Sequence, residues 1–199
     1  MTPCPAVFLD RDGVLNDPVM DPVDGRPESP LRAQDVVLAP GAVEGLRTLA
    51  GVGVPIVVVS NQPAAAKGKA TDADLRAVHE RVVELLGAPG EAIAEWRYCF
   101  DHPDAADPAR RVCACRKPAP GMLQDAARAH GLDLEASFIV GDTDADVGAG
   151  RAVGATTVLV EHPGTAHRRT PEMTVAADLR ASDLAAAAAL VAERIATVP

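Results

Sequence analysis

The apolar positions fall into short continuous runs, separated by longer stretches in which they recur every three or four residues. Ala6-Val7-Phe8-Leu9, Ile56-Val57-Val58-Val59, Phe138-Ile139-Val140 and Thr156-Thr157-Val158-Leu159-Val160 are rich in branched side chains and bounded by turn residues. Such runs predict strands buried on both faces, as in a parallel sheet. Trp96-Arg97-Tyr98-Cys99-Phe100 is a further candidate strand. Between them lie helical patterns. Thr71-Asp72-Ala73-Asp74 opens a helix through Leu86, with Thr71 as N-cap and Gly87 as stop. His79 and Glu80 fall in the middle of this helix and read as a solvated face. Helices are also predicted over 118–129, opened by a proline and closed near Gly131, over 144–153, and over 182–196 at the C-terminus. Alternation of strand and helix predicts crossover units and a parallel sheet covered on both faces. Residues 18–32 carry four prolines and read as a loop inserted after the first strand, a lid or rim. From 168 the tail is polar and then alanine-rich, and no element is predicted over 168–173.

Length and composition narrow the classes. The 199 residues, 48% hydrophobic and 24% charged, fit one globular domain with a sizeable core. A net charge of −9 argues against nucleic acid or an anionic membrane surface as partner. No apolar stretch reaches membrane-span length, and Met1-Thr2-Pro3-Cys4 lacks a signal-peptide core, so a cytoplasmic monomer is the expectation. Of the four cysteines, Cys99, Cys113 and Cys115 share the loop 99–115 with His102, while Cys4 stands alone. In a reducing compartment, three thiols and an imidazole in one loop favour metal over disulfide.

The chemistry gathers where strands end. Asp10-Arg11-Asp12-Gly13 follows the first strand, Ser60 ends the second, and Gly141-Asp142 leaves a later one, with Asp146 four residues on. Open α/β sheets bind ligands at such strand ends. Carboxylates crowded there repel unless a cation or a shared proton neutralises them. With Lys117 between the cysteine loop and a proline-opened helix, the set can hold Mg²⁺ on oxygen ligands. It can also bind a phosphate by a hydroxyl and an ammonium, and attack phosphorus with a carboxylate.

These motifs, Asp-x-Asp-Gly-Val at 10–14, Ser60, Lys117 and Gly-Asp-x-x-x-Asp at 141–146, resemble the haloacid dehalogenase superfamily of phosphatases in type and order. Phe8-Leu9-Asp10-Arg11-Asp12-Gly13, Ser60-Asn61-Gln62, Lys67-Gly68-Lys69, Tyr98-Cys99, His102-Pro103 and Cys113-Ala114-Cys115-Arg116-Lys117-Pro118 look like the D-glycero-D-manno-heptose-1,7-bisphosphate 7-phosphatases. The histidinol-phosphate phosphatases are their sister group. The resemblance implies a single Rossmann-like, three-layer α/β domain over 1–199, with a central parallel sheet and a zinc-loop insertion. It implies Asp10 as nucleophile, Asp12 as general acid and base, and Ser60 and Lys117 as holders of the transferring phosphoryl oxygens. Mg²⁺ would sit on Asp10, the Asp12 carbonyl and Asp142, with Asp146 in support. Arg11, Asn16, Asp17, Asn61, Gln62 and Arg116 would contact substrate, Arg116 reading a distal phosphate. A structural Zn²⁺ would be held by Cys99, His102, Cys113 and Cys115.

The chain departs from the family in three places. The family's zinc-binding histidine falls at Asp101 here, leaving His102 and Asp101 as alternative fourth ligands, of which imidazole is the commoner beside thiolates. Thr143 follows Asp142 where the heptose enzymes usually have Lys, and the 18–32 insertion is longer than usual. The expected function is a Mg²⁺-dependent phosphomonoesterase of a phosphorylated heptose. Alternatives are a histidinol-phosphate or other small-metabolite phosphatase, and an inactive zinc-loop binding module on the same fold.

Overall fold

A computed structural model of the chain describes residues 4–21 and 25–197. The first strand, β1 (Val7–Leu9), leads to a two-stranded hairpin, β2 (Val19–Met20) with β3 (Pro27–Glu28). There follow α1 (Ala42–Val52), β4 (Ile56–Asn61), α2 (Asp72–Leu86), β5 (Ile93–Cys99) and α3 (Gly121–His130). The remainder is β6 (Phe138–Gly141), α4 (Asp144–Arg151), β7 (Thr156–Val160), α5 (Pro171–Ala176), β8 (Leu179–Ala181) and α6 (Leu184–Ala196). Six strands form one parallel sheet in the order β5-β4-β1-β6-β7-β8.

β1 lies at the centre of this sheet, which is why its run of apolar side chains is continuous: both faces are covered. Val7 and Leu9 pack on one side with Leu46 and Leu49 of α1, Val78 and Val82 of α2, and Leu184 and Val191 of α6. Phe8 points to the other, with Val57, Val59 and Ile139, against Met122, Leu123 and Ala126 of α3. The alternation of the strand splits one apolar run between two cores.

The α2 start is a complete capping box. Thr71 Oγ1 accepts from the Asp74 N–H at 3.1 Å, and Asp74 Oδ2 accepts from the Thr71 N–H at 2.9 Å. The structure adds α1 and β8, which the sequence pattern does not predict. α1 begins at Gly41 with no side-chain cap and carries two glycines. Gly45 is there because α6 crosses so closely that a Cβ would fall 2.6 Å from Leu184 Cγ. The described residues of the insertion, 18–21 and 25–32, hold the β2–β3 hairpin rather than a plain loop, and 22–24 lie outside the described residues. Part of 168–173, where the pattern predicts no element, opens α5, capped by the Thr170 side chain accepting from the Met173 N–H at 3.3 Å. Among the described residues, no helix is long and apolar enough to cross a membrane.

Candidate active site

The C-terminal ends of β1, β4 and β6 bring Asp10, Ser60 and Asp142 to one place, as adjacent parallel strands must. The Asp10 N–H donates to the Val140 carbonyl at 2.9 Å, which fixes the exit of β1 against β6. Lys117 reaches under this floor. Its Nζ lies 3.1 Å from Asp10 Oδ1 and 2.5 Å from Asp146 Oδ1, and donates to the Val59 carbonyl at 2.7 Å. Its backbone is clasped by Asn61, whose Oδ1 accepts from the Lys117 N–H and whose Nδ2 donates to the Lys117 carbonyl. Burial alone would push the Lys117 ammonium down; Asp10 and Asp146 outweigh it and hold it above the usual lysine range. The charge on Lys117 is therefore permanent.

The carboxylates are not neutralised by it. Burial, with Asp146 and Asp12 nearby, raises Asp10 to about 6 against the pull of Lys117. Burial and the charges of Asp10 and Asp146 raise Asp142 well above the usual range, and neither Asp142 oxygen has a hydrogen-bond partner among the described residues. Gly13 makes room for that carboxylate. It turns with φ +82°, and a Cβ there would fall 1.9 Å from Asp142 Oδ2. One oxygen each from Asp10, Asp142 and Asp146 lie within 4.8 Å of one another.

Asp12 is treated differently. Its carboxylate accepts from Arg11 Nη2 at 3.0 Å, Asn16 Nδ2 at 2.9 Å, Gln62 Nε2 at 2.5 Å and Ser29 Oγ at 2.8 Å. Burial would raise it, but these donors hold it below the ordinary carboxylate range. Arg11 is 1% exposed, donates also to Gln62 Oε1 at 2.8 Å, and lies over the Tyr98 ring at 5.7 Å.

Asp10, Asp12, Ser60, Asn61, Lys117 and Asp142 line a cavity of about 720 Å³, and Arg116 lies on its wall. The other residues expected to touch substrate do not present side chains there. Arg11, Asn16 and Gln62 are turned onto Asp12, because a buried carboxylate needs donors more than a solvated ligand does. Asp17 pairs with His162 Nε2 at 3.0 Å. Conversely Glu28, Ser29, Lys67 and Arg168 line the cavity. Of these, only Lys67 has a sequence signal, in Lys67-Gly68-Lys69.

The comparisons with known proteins agree with this geometry. The HAD-hydrolase-like family model matches residues 114–187. A D-glycero-β-D-manno-heptose-1,7-bisphosphate 7-phosphatase from Rhodopseudomonas palustris is 37% identical over 151 residues, 75% of this chain and 79% of the relative. The protein of the same name from Escherichia coli is 36% identical over 183 residues, 91% of this chain and 90% of the relative. The chain belongs to this family of HAD-like phosphatases. A solved D,D-heptose 1,7-bisphosphate phosphatase from B. bronchiseptica, complexed with magnesium and phosphate, superimposes with a TM-score of 0.75 at 27% identity. The match covers 96% of this chain and 99% of that one.

Membership makes a divalent cation the natural occupant of the carboxylate floor, and the residues fit it. Asp142 has two buried oxygens without donors, and Asp10 and Asp142 repel each other. Mg²⁺ takes such hard oxygen ligands. Asp146 is committed elsewhere: Oδ1 to Lys117, and Oδ2 to the Thr143 N–H at 3.1 Å and Thr143 Oγ1 at 2.6 Å. It positions Lys117, in keeping with a supporting role.

The second metal expectation is met only in part. The sulfur atoms of Cys99, Cys113 and Cys115 lie within 4.8 Å of one another, a spacing compatible with one shared ion. However, Cys113 and Cys115 are joined as a disulfide, where the sequence predicts free thiols. Sulfurs brought together to share a metal are also close enough to bond to each other when it is absent. His102 does not belong to the sulfur group; its Nδ1 accepts from the Asp104 N–H at 3.0 Å. The Asp101 carboxylate faces Arg110 at 3.7 Å.

Proposed function

We propose that the protein removes the 7-phosphate of D-glycero-D-manno-heptose 1,7-bisphosphate, or of a closely related heptose phosphate, through an aspartyl-phosphate. The observation that carries the reading is the buried floor of Asp10, Asp142 and Lys117 beneath a sugar-sized cavity, in a chain of this family. Asp10 attacks phosphorus. Its in-line oxygen displaces the sugar alkoxide, and water then cleaves the acyl-phosphate bond, restoring the carboxylate.

Asp12 gives the leaving oxygen its proton and takes one from the water in the second step. In the free site its donors keep it anionic, so the negative charge of the entering phosphate must raise it for the first step. Ser60 and Lys117 hold the phosphoryl oxygens as charge develops on them. Asn61 acts one step back by fixing the Lys117 backbone. Mg²⁺ on Asp10, Asp142 and the Asp12 carbonyl would supply the positive charge that lets a phosphate dianion approach an anionic nucleophile. Arg116 stands on the wall, where its planar fork suits a distal phosphate.

We also propose that the reduced loop 99–115 holds a structural zinc on Cys99, Cys113 and Cys115, with His102 turning in as fourth ligand. Of the sulfur species only thiolates ligate, so the disulfide must first be cleaved by two electrons from a thiol reductant, which is itself oxidised to a disulfide. A coordination shell filled by protein leaves no place for a reactive water.

The reading is tested by phosphate release from a panel of sugar phosphates and histidinol phosphate with Mg²⁺. The heptose bisphosphate should show the highest kcat/KM. Preference for histidinol phosphate would favour the sister group, and release from no substrate would favour an inactive module.

A further inference from the structure

The floor of the cavity carries Asp10, Asp12 and Asp142 with Lys117, and on its walls Arg116 and Arg168 stand beside Glu28. Arg116 directly follows the cysteine loop and Arg168 comes from the segment before α5, far apart in sequence. Both guanidiniums stand on the wall of one cavity, where like charges repel. The carboxylate seen on either of them is Glu28, from β3 of the hairpin: Arg168 Nη2 lies 3.1 Å from Glu28 Oε2 and donates to the Pro27 carbonyl at 3.2 Å. Arg116 instead donates to the Asp101 carbonyl at 3.1 Å. Two repelling cations on the wall of a cavity are stable neighbours once an anion lies between them. Glu28 is about one-third exposed, so its grip on Arg168 is the weak, screened kind.

We infer that Arg168 is a specificity-determining residue: it exchanges Glu28 for the second anionic group of the substrate, which it grips together with Arg116. The inference rests on the bisphosphate reading and extends it to a residue outside the family motifs. The exchange has a mechanical consequence. Glu28 is followed by Ser29, whose hydroxyl donates to Asp12 at 2.8 Å. Releasing Glu28 loosens the hairpin segment that holds one of the four donors on Asp12. Occupancy of the distal subsite is thereby linked to the residue that must pick up a proton.

The experiment compares heptose 1,7-bisphosphate with heptose 7-phosphate on Arg168→Ala, Arg168→Lys and Glu28→Gln. Arg168→Ala should lower kcat/KM on the bisphosphate by about ten- to a hundredfold more than on the monophosphate, mainly through KM. Arg168→Lys should recover part of that loss, since a point charge remains without the fork. Glu28→Gln should act with the opposite sign and lower the KM for the bisphosphate, because the anion no longer displaces a carboxylate. This second variant keeps the inference testable if Arg168→Ala folds poorly. Equal losses on both substrates, or a raised bisphosphate KM in Glu28→Gln, would overturn it. A wild-type enzyme inert toward the heptose bisphosphate would instead overturn the heptose reading. The same variants would then be compared on fructose 1,6-bisphosphate and fructose 6-phosphate, where a selective loss on the bisphosphate supports the role of Arg168 and equal losses overturn it.

Discussion

The floor of the cavity and the loop 99–115 are built on opposite principles. On the floor every reacting side chain leaves a central strand or is locked by buried contacts: Lys117 by three, Asp12 by four donors, Asp10 by its own backbone tie to β6. The loop 99–115 is irregular, largely exposed apart from Cys99 and Ala105, and its shape depends on which bonds three sulfur atoms make. On the proposed function, the chemistry is thus preorganised by the sheet, and the distal contacts come from segments that strand pairing does not fix. Variants on the floor should change the rate of the chemical step with little effect on which substrate is preferred. Variants in the loop and hairpin should do the reverse.

Short of removing the proposed nucleophile, the largest effect that tests this contrast is on Asp12. Asp12→Asn keeps the shape but gives up one acceptor oxygen and cannot carry the proton, so turnover should fall by roughly 10²–10⁴ while the protein still binds Mg²⁺. Loss of metal binding, with full turnover restored at saturating Mg²⁺, would show that the side chain serves the cation instead.

A second test reads the floor through pH. Asp10 is raised from 3.8 to about 6, and Asp142 is raised as well, both by burial first. A carboxyl raised on folding contributes stability that is fully present below its unfolded pKa and is lost as pH rises through the folded one. Metal-free protein should therefore lose this contribution between about pH 4 and 6, and added Mg²⁺ should restore it. The gain in Tm with Mg²⁺ should be clearly larger near neutrality than at about pH 5. An equal gain at both pH values would place the cation elsewhere.

The smallest effect on chemistry belongs to the loop. Protein purified under reducing conditions should carry one zinc per chain, and Cys113→Ser should lower zinc content and Tm. His102→Ala should lower both more than Asp101→Ala does. Finding no zinc in the reduced protein would refute the zinc site; the reverse order of the two variants would make the carboxylate the ligand.

The same division explains what is legible in the sequence. Strands with continuous apolar runs, α2 with its capping box, and the acids at strand ends carry local signals, and all lie where the pattern places them. α1 is hidden by its two glycines, of which Gly45 answers to the close crossing of α6, and β8 by its three-residue length. The donors on Asp12 illustrate a different failure. Arg11, Asn16 and Gln62 are expected to contact substrate from their place beside the motif residues, and in the structure their side chains donate to the Asp12 carboxylate. Ser29 and Arg168 act through contacts made across the fold and have no neighbouring motif to announce them. His79 fits a solvated face by its place in α2, but its Nδ1 lies 2.8 Å from the Tyr98 hydroxyl, in the group that backs Arg11.

The central claim is that Asp10 becomes covalently phosphorylated. Rapid acid quenching during turnover of a sugar phosphate with Mg²⁺, followed by mass spectrometry of the peptides, tests it directly. The account predicts a hydroxylamine-sensitive phosphoryl group on Asp10, absent from Asp10→Asn, which should have no measurable turnover and an intact fold. Turnover by Asp10→Asn within about tenfold of wild type, or rapid phosphate release with no label on Asp10 at any quench time, would contradict it.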